Sequence, residues 1–170
     1  MGSNTAMILK THIWEKLEKN KNMTHEFKII GISVRTTNAN GQAATDLGKL
    51  WGQFMSDTIS KIPNTISKEI IAIYTDYESD YQGEYTAILG QKVSSLDEIP
   101  NGMIGREFPA TKFQKFIAKG EMPNAVMQTW KTIWEQDEVL NRAYQYDFEV
   151  YGEKSQNGDE SEVEIFVSVK

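Results

Sequence analysis

The chain has 170 residues, a formal net charge of −6 and 39% hydrophobic residues, which suits a folded domain with a substantial core. The negative charge disfavours direct binding to nucleic acid and to anionic membranes, which attract basic patches. With no cysteine and two histidines, the chain lacks the usual residues for disulfides, thiolate zinc sites and cysteine nucleophiles. No apolar run has the length of a membrane span, and no signal peptide is evident. We therefore expect a cytoplasmic protein without a metal or cofactor.

Residues 1–23 are predicted to be an N-terminal extension of the main domain. The opening letters MGSNTAM have the composition of a vector-derived leader. Behind them, Leu9, Ile13 and Leu17 have the spacing of a short amphipathic helix. Because terminal segments are often peripheral to a fold, we expect the functional domain to occupy residues 24–170.

The first half of that domain reads as one strand, one helix and a hairpin. FKIIGISVR has the composition of a strand, and the polar loop after it ends at the helix-capping residues Thr45 and Asp46. An apolar helical stripe that includes Trp51 follows. EIIAIYTDY and YTAILGQKV then flank a turn at Gly83, the pattern of a hairpin.

The second half repeats this order about 80 residues later. REFPATKFQKFIAKG contains an extended segment, and Pro123 stands where a helix with Trp130 on its apolar stripe could start. YQYDFEVYG and EVEIFVSVK follow as strands. The sequence therefore predicts an α+β fold made of a duplicated β-α-β-β unit, with repeats at about 24–95 and 104–170. We expect pseudo-two-fold symmetry, a curved antiparallel sheet with helices on one face, and a cleft between the repeats.

The strand YQYDFEVYG supplies the main candidate residue, Glu149. Strand alternation places Glu149 and Tyr151 on one face. If Phe148 and Val150 pack under the helices with the valines of the last strand, Phe166 joins Glu149 on the opposite face. A carboxylate among aromatic rings attracts lipophilic cations, or acts as a general base where burial raises its pKa. The alternative, which the pattern alone favours, is an exposed strand carboxylate.

Other candidates are aromatic. Tyr77 and Tyr85 lie on the first hairpin, the counterpart of the Glu149 strand, and are expected to line the cleft. Trp51 and Trp130 occupy helical stripes, where core packing is the commoner role, with one of the tryptophans facing the cleft. No nucleophile elbow, phosphate-binding glycine loop or spaced Ser/His/Asp set is present. An enzymatic role therefore has little support from motifs.

The layout resembles the GyrI-like small-molecule-binding family, which also forms the effector-binding domain of AraC- and MerR-type bacterial transcription regulators. The resemblance covers roughly residues 24–170. It is carried by FKIIGISVRT, LWGQF, IYTDYESDYQGEYTAILGQKV, PNGMIGREFPATKFQKFIAKG, VMQTWKTIW, YDFEVYG and EVEIFVSVK, in that order. It implies a ligand cleft between the repeats, with Glu149 meeting cationic, lipophilic ligands. It also implies that Tyr77, Tyr151 and Phe166 stack on the ligand.

Two departures from the family pattern leave the ligand open. The last strand often reads IYIPV in this family, and here it reads IFVSV, with Phe166 in place of tyrosine and Ser168 in place of proline. Three functions are compatible with the sequence. They are binding of a small amphipathic or cationic ligand, hydrolysis of small esters or strained rings with Glu149 as base, and inhibition of a DNA-processing enzyme through a protein partner. The sequence carries no indication of the oligomeric state.

Overall fold

The computed structural model describes residues 21–170, so the helix predicted around Leu9, Ile13 and Leu17 lies outside the described residues. Eight strands form one antiparallel sheet: β1 (Lys21–Met23), β2 (Phe27–Thr37), β3 (Ile70–Thr75), β4 (Glu84–Val93), β5 (Ile104–Phe108), β6 (Lys112–Lys119), β7 (Tyr146–Tyr151) and β8 (Glu162–Ser168). The α-helices of the described residues are α1 (Gln42–Gln53), α2 (Asn124–Glu135) and the single turn α3 (Asp137–Leu140). None of the helices within residues 21–170 is long and apolar enough to cross a membrane.

The strand order β1-β6-β8-β7-β3-β4-β2-β5 has the predicted two-fold pattern. One repeat is β2-α1-β3-β4 and the other is β6-α2-β7-β8, and their third elements, β3 and β7, pair at the centre of the sheet. The predicted fold class is confirmed. The short leading strands are exchanged, because β1 pairs with β6 of the second repeat and β5 pairs with β2 of the first.

The sheet must curl, because residues 109–111 alone join β5 near one edge to β6 near the other. This link reaches at most about 14 Å when extended, whereas six strand spacings in a flat sheet would separate its ends by about 29 Å. The aromatic contacts show the curvature directly. The ring of Phe27 on β2 lies 5.7 Å from the ring of Phe148 on β7, although β4 and β3 separate these strands. The sheet thus wraps around an inner aromatic core.

The inner face and the outer face carry different cores. The inner cluster contains Ile29, Ile71, Ile73, Ile88, Phe108, Phe113, Tyr146 and Phe148. On the outer face, Leu50 of α1 packs over the first repeat and Trp130 of α2 over the second. Both sheet faces are therefore buried near the centre. The helices share one face, as predicted.

Helix α1 begins earlier than its sequence signals indicate. The capping pair Thr45 and Asp46 predicted a start near residue 47, and that prediction is wrong because the helix begins at Gln42. Asp46 instead accepts a hydrogen bond of 2.8 Å from the Thr36 hydroxyl. This contact ties the first turns of α1 to β2 and leaves the carboxylate unavailable as a cap.

The sidedness predicted for the last two strands is also wrong. Phe166 pairs with Phe148 across β8 and β7, and their rings stack at 4.6 Å on the inner face. Glu149 pairs with Ile165 instead and lies on the helix-covered face. Alternation fixes which residues share a face, but two apolar faces give no sign of which one the helices cover. Phe166 is therefore on the opposite side of the sheet from Glu149.

Candidate functional site

Glu149 lies at the centre of the sheet, on the β7 strand that meets β3 at the pseudo-two-fold axis. Its cross-strand partners are Ala72 on β3 and Ile165 on β8. Cross-strand side chains stand close together on a sheet face, so the small side chain of Ala72 leaves space beside the carboxylate. The glutamate is nevertheless only 1% exposed. Because burying a carboxylate without hydrogen bonds is costly, Glu149 needs donor groups close to it.

Two phenols supply that support. The Tyr74 hydroxyl, reaching diagonally from β3, donates to the Glu149 carboxylate with oxygen distances of 2.6 and 3.1 Å. The Tyr151 hydroxyl, two residues along β7, donates at 3.1 Å. The indole N–H of Trp130 acts on the same carboxylate without completing a hydrogen bond of ordinary geometry. All these groups favour the ionised form of Glu149.

Burial nevertheless dominates the titration of Glu149. Loss of solvation raises its pKa to about 7, and the hydrogen-bonding groups Tyr74, Tyr151 and Trp130 only partly oppose this rise. Burial, reinforced by the nearby carboxylate, also raises the pKa of Tyr74 and of Tyr151. The tyrosines therefore stay protonated at neutral pH and act as donors. Glu149 itself is poised between its neutral and charged forms, so a cation nearby would favour ionisation.

A cavity of about 380 Å³ opens above Glu149 between the segment 38–47 and helix α2. Six of its sixteen lining residues are aromatic: Tyr74, Tyr77, Tyr81, Tyr85, Trp130 and Trp134. Tyr81 and Trp134 stack with their ring centres 5.6 Å apart. A second hollow, of about 430 Å³, lies over the outer side of α2, and its charged residues Lys119 and Glu121 are exposed. The first cavity alone combines a buried carboxylate with ring faces.

Tyr77 reaches this cavity because the backbone changes direction after β3. Strict alternation from Tyr74 would place Tyr77 on the inner face, but the intervening Asp76 has a left-handed conformation with φ of 50°. Arg106 holds the Asp76 carboxylate through two contacts of 2.7 Å. The Tyr77 hydroxyl then donates to Asp147 at 2.5 Å. Its ring, rather than its hydroxyl, is the part available to the cavity.

Asp147 anchors a second polar group on the same face as Glu149. Its carboxylate accepts from Arg142 Nη2 at 2.6 Å and from the backbone N–H of Ser168 at 2.8 Å. The other terminal nitrogen of Arg142 contacts Asp137 at 3.3 Å and Tyr144 at 3.2 Å. Because Arg142 and Asp147 are both buried, removing either partner would leave an uncompensated charge. The network fixes one end of the cavity.

The predicted site residues fall into three groups. Glu149, Tyr77, Tyr85 and Trp130 line the cavity. Tyr151 supports Glu149 from beside the cavity lining, and Trp51 contacts the Tyr151 ring edge-on at 4.8 Å. Phe166 lies across the sheet, so its predicted stacking role does not fit the geometry.

Sequence reasoning missed several residues that contribute to the cavity. Tyr74 lies on the same first hairpin as Tyr77 and Tyr85, but only the pairing of β3 with β7 brings its hydroxyl to Glu149. Tyr81 and Trp134 meet from distant segments, and no local pattern links them. Arg142 follows a left-handed turn at Asn141, and its partner Asp147 shares a strand face with Glu149 by alternation.

Comparison with known proteins identifies the family. A family model described as integron-associated effector binding protein, Cass2, matches residues 23–169. The chain belongs to this family. It is 30% identical, over 149 residues, to the candidate transcriptional regulator protein YobU of Bacillus subtilis (strain 168), covering 84% of this chain and 92% of YobU. The resemblance inferred from the sequence motifs is confirmed.

Solved structures of similar proteins share the fold. The integron cassette protein VCH_CASS2 of Vibrio cholerae is 27% identical, with a TM-score of 0.66 and coverage of 89% of this chain and 97% of that one. The structure of SAV2435 bound to tetraphenylphosphonium is 18% identical, with a TM-score of 0.73 and coverage of 88% and 92%. At this lower identity the likeness establishes a common fold.

Proposed function

We propose that this effector-binding protein takes up an aromatic or lipophilic cation in the cavity above Glu149. The observation that carries the proposal is a buried carboxylate at the base of an aromatic cavity, with a pKa raised to about 7. A bound cation stabilises the ionised form through Coulomb attraction in a partly dry site. The tyrosine and tryptophan faces add cation–π attraction.

The engagement of the phenols supports a ligand with large apolar rings. Tyr74, Tyr77 and Tyr85 each donate their hydroxyl to a protein oxygen, on Glu149, Asp147 and Asn38 respectively. What these residues offer to the cavity is therefore mostly ring surface. The tetraphenylphosphonium in SAV2435 is a ligand of this kind, with a positive centre surrounded by phenyl rings, and makes a suitable probe.

The direct test is titration with tetraphenylphosphonium at pH 8, followed through tryptophan fluorescence. Trp130 and Trp134 line the cavity, so binding should change their emission. We expect Glu149→Gln to weaken affinity about tenfold or more, because a desolvated ion pair is lost. Glu164→Gln is the matched control, since Glu164 lies on neighbouring β8 but pairs with Lys115 outside the cavity at 2.5 Å. Equal affinity in the wild type and Glu149→Gln would contradict the proposal.

The hydrolase alternative rests on the same raised pKa. A carboxyl group with a pKa of about 7 is suited to general-base catalysis at neutral pH. Its oxygens, however, already accept hydrogen bonds from Tyr74 and Tyr151, so a base role would require these to rearrange. Turnover of activated esters that disappears in Glu149→Gln would favour hydrolysis. Binding without turnover across a panel of such esters favours the effector role.

A protein-partner role makes a third, separable prediction. An inhibitor of a DNA-processing enzyme would work through its acidic surface and would keep its activity when the cavity carboxylate is neutralised. Co-purification from native cells with the wild type and Glu149→Gln distinguishes the two cases. Partner capture that is identical for both proteins, in the absence of any cation binding, would favour this alternative over the effector role.

A further inference from the structure

Tyr77 is the central ring of one wall of the cavity. It lines the cavity and is partly exposed. Its ring centre lies 5.8 Å from that of Tyr85 and 5.2 Å from that of Tyr144, separations at which aromatic rings stabilise one another. A shift of Tyr77 would therefore disturb its neighbours as well as the surface that it offers to a ligand.

The position of Tyr77 depends on the backbone of the residue before it. Asp76 has a φ of 50°, a left-handed conformation that is unfavourable for residues with a Cβ, although aspartate tolerates it better than most. In an extended conformation, strict alternation would direct Tyr77 to the inner face of the sheet. The left-handed backbone at Asp76 therefore needs contacts that hold it.

Two arginines supply such contacts. Arg106 holds the Asp76 carboxylate with both terminal nitrogens, each at 2.7 Å, and this two-point geometry is the stronger way in which arginine binds a carboxylate. Arg35 donates to the Asp76 backbone carbonyl at 2.5 Å. The hydrogen bond from Arg106 is also the main reason that the pKa of Asp76 is lowered, so the aspartate is ionised at neutral pH.

Arg106 reaches Asp76 from outside the cavity. It belongs to β5 and shares the inner face with Phe108, because its guanidinium carbon lies 5.1 Å from the centre of the Phe108 ring. Glu149 lies on the opposite, helix-covered face. In the sheet, β2 and β4 separate β5 from β3, so the curl of the sheet brings Arg106 to the end of β3.

We propose that Arg106 is a positioning residue for the cavity. By holding Asp76 in its left-handed conformation, it keeps the Tyr77 ring in the wall that faces the ligand. It thus contributes to the affinity for a bound cation without touching that cation. The inference rests on the proposed function for its ligand, and it assigns a binding role to a residue on the far face of the sheet.

A double-mutant comparison of tetraphenylphosphonium affinity at pH 8 tests the inference. Arg106→Gln should weaken binding about fivefold, because one aromatic face is withdrawn from the cation. Tyr77→Leu should weaken binding by a similar factor, and adding Arg106→Gln to it should change the affinity by less than about twofold. A residue that merely supports the fold would weaken binding by the same factor in both backgrounds.

Lys115→Gln is the matched control. Lys115 pairs with Glu164 at 2.5 Å, and its ammonium lies 5.9 Å from the centre of the Phe166 ring. The pair has nearly the same exposure as the ion pair of Arg106, and its loss should leave affinity within about twofold of the wild type. An unchanged affinity in Arg106→Gln, or a loss that recurs in full in the Tyr77→Leu background, would overturn the inference.

A measurement without ligand separates the inference from the proposed function. In tyrosine-labelled protein, nuclear Overhauser contacts between the rings of Tyr77 and Tyr144 should persist in Lys115→Gln and disappear in Arg106→Gln. If tetraphenylphosphonium does not bind the wild type, the proposed function fails, and these contacts alone decide whether Arg106 positions Tyr77. They decide equally if Tyr77→Leu does not fold. Retention of the contacts in Arg106→Gln would refute the positioning role even if affinity falls.

Discussion

The affinity for a permanent cation should fall sharply between pH 8 and pH 6. Tetraphenylphosphonium carries its charge at every pH, so any change must come from the protein. With a pKa of about 7, Glu149 loses its negative charge within this range. An exposed glutamate, with an ordinary pKa near 4.3, would stay ionised throughout.

The magnitude follows from the ionised fraction. A group with a pKa of about 7 is about 91% ionised at pH 8 and about 9% at pH 6. If only the ionised form binds the cation, the apparent dissociation constant is the intrinsic one divided by that fraction. The dissociation constant should therefore rise about tenfold from pH 8 to pH 6. Most of the change should occur below pH 7.

Fluorescence titrations at pH 6, 7 and 8 and constant ionic strength measure this change. Glu149→Gln should bind more weakly and show little pH dependence. Glu164→Gln should follow the wild type, because its carboxylate is lost outside the cavity. An affinity that does not change from pH 6 to pH 8, or a slope that persists in Glu149→Gln, would refute the role assigned to the carboxylate.

Four further perturbations test the residues around Glu149 and the two faces of the sheet. Folding raises the pKa of Glu149, so the free energy of unfolding of the wild type should fall by on the order of 3 kcal/mol as pH rises from about 4.5 to about 7. Denaturant unfolding at several pH values should show this fall, and Glu149→Gln should lack it. Tyr74→Phe removes a donor to the ionised carboxylate, which should raise its pKa further and weaken cation binding about fivefold at pH 7. Recovery at pH 9 would support this cause, and unchanged affinity at pH 7 would contradict it. Phe166→Ala should lower stability by about 2 kcal/mol and leave cation affinity within about twofold, because its ring packs on the inner face; a large affinity loss in a folded variant would restore its predicted ligand role. Asp147→Asn leaves the Arg142 guanidinium without its closest carboxylate, so denaturation should show a loss of about 3 kcal/mol, and wild-type stability would contradict the pair's importance.

The duplicated fold was predictable because each element carries a local signal. Strand composition, the two apolar helical stripes and the turns recur in the same order about 80 residues apart. The exchange of β1 and β5 between repeats was not predictable, because strands of three and five residues have no distinctive pattern. The curl of the sheet was equally hidden. It arises from the short link at residues 109–111 and from ring contacts such as Phe27 with Phe148.

The site was predictable where strand alternation and the family pattern agreed, and elsewhere it was not. Glu149 stood out as a carboxylate among aromatic residues, although composition alone favoured an exposed position. Phe166 was misplaced because both sheet faces are apolar. The left-handed residue Asp76 then redirects Tyr77 in a way that alternation does not predict. The ion pair between Arg142 and Asp147 joins the segment before β7 to the strand itself, and only the three-dimensional structure shows it.

The exchanged leading strands make the two repeats an interlocked pair within one chain. Each half contributes a strand, β1 or β5, that completes the other half, much as strand-swapped protomers do in a dimer. Cleavage in the linker between β4 and β5 would thus yield fragments with unpaired edges, which should regain structure by reassociating rather than by folding separately. A ligand above β3 and β7 would contact both halves at their junction. Its binding energy would then oppose their separation, so that occupancy of a small cavity reinforces the cohesion of the whole domain.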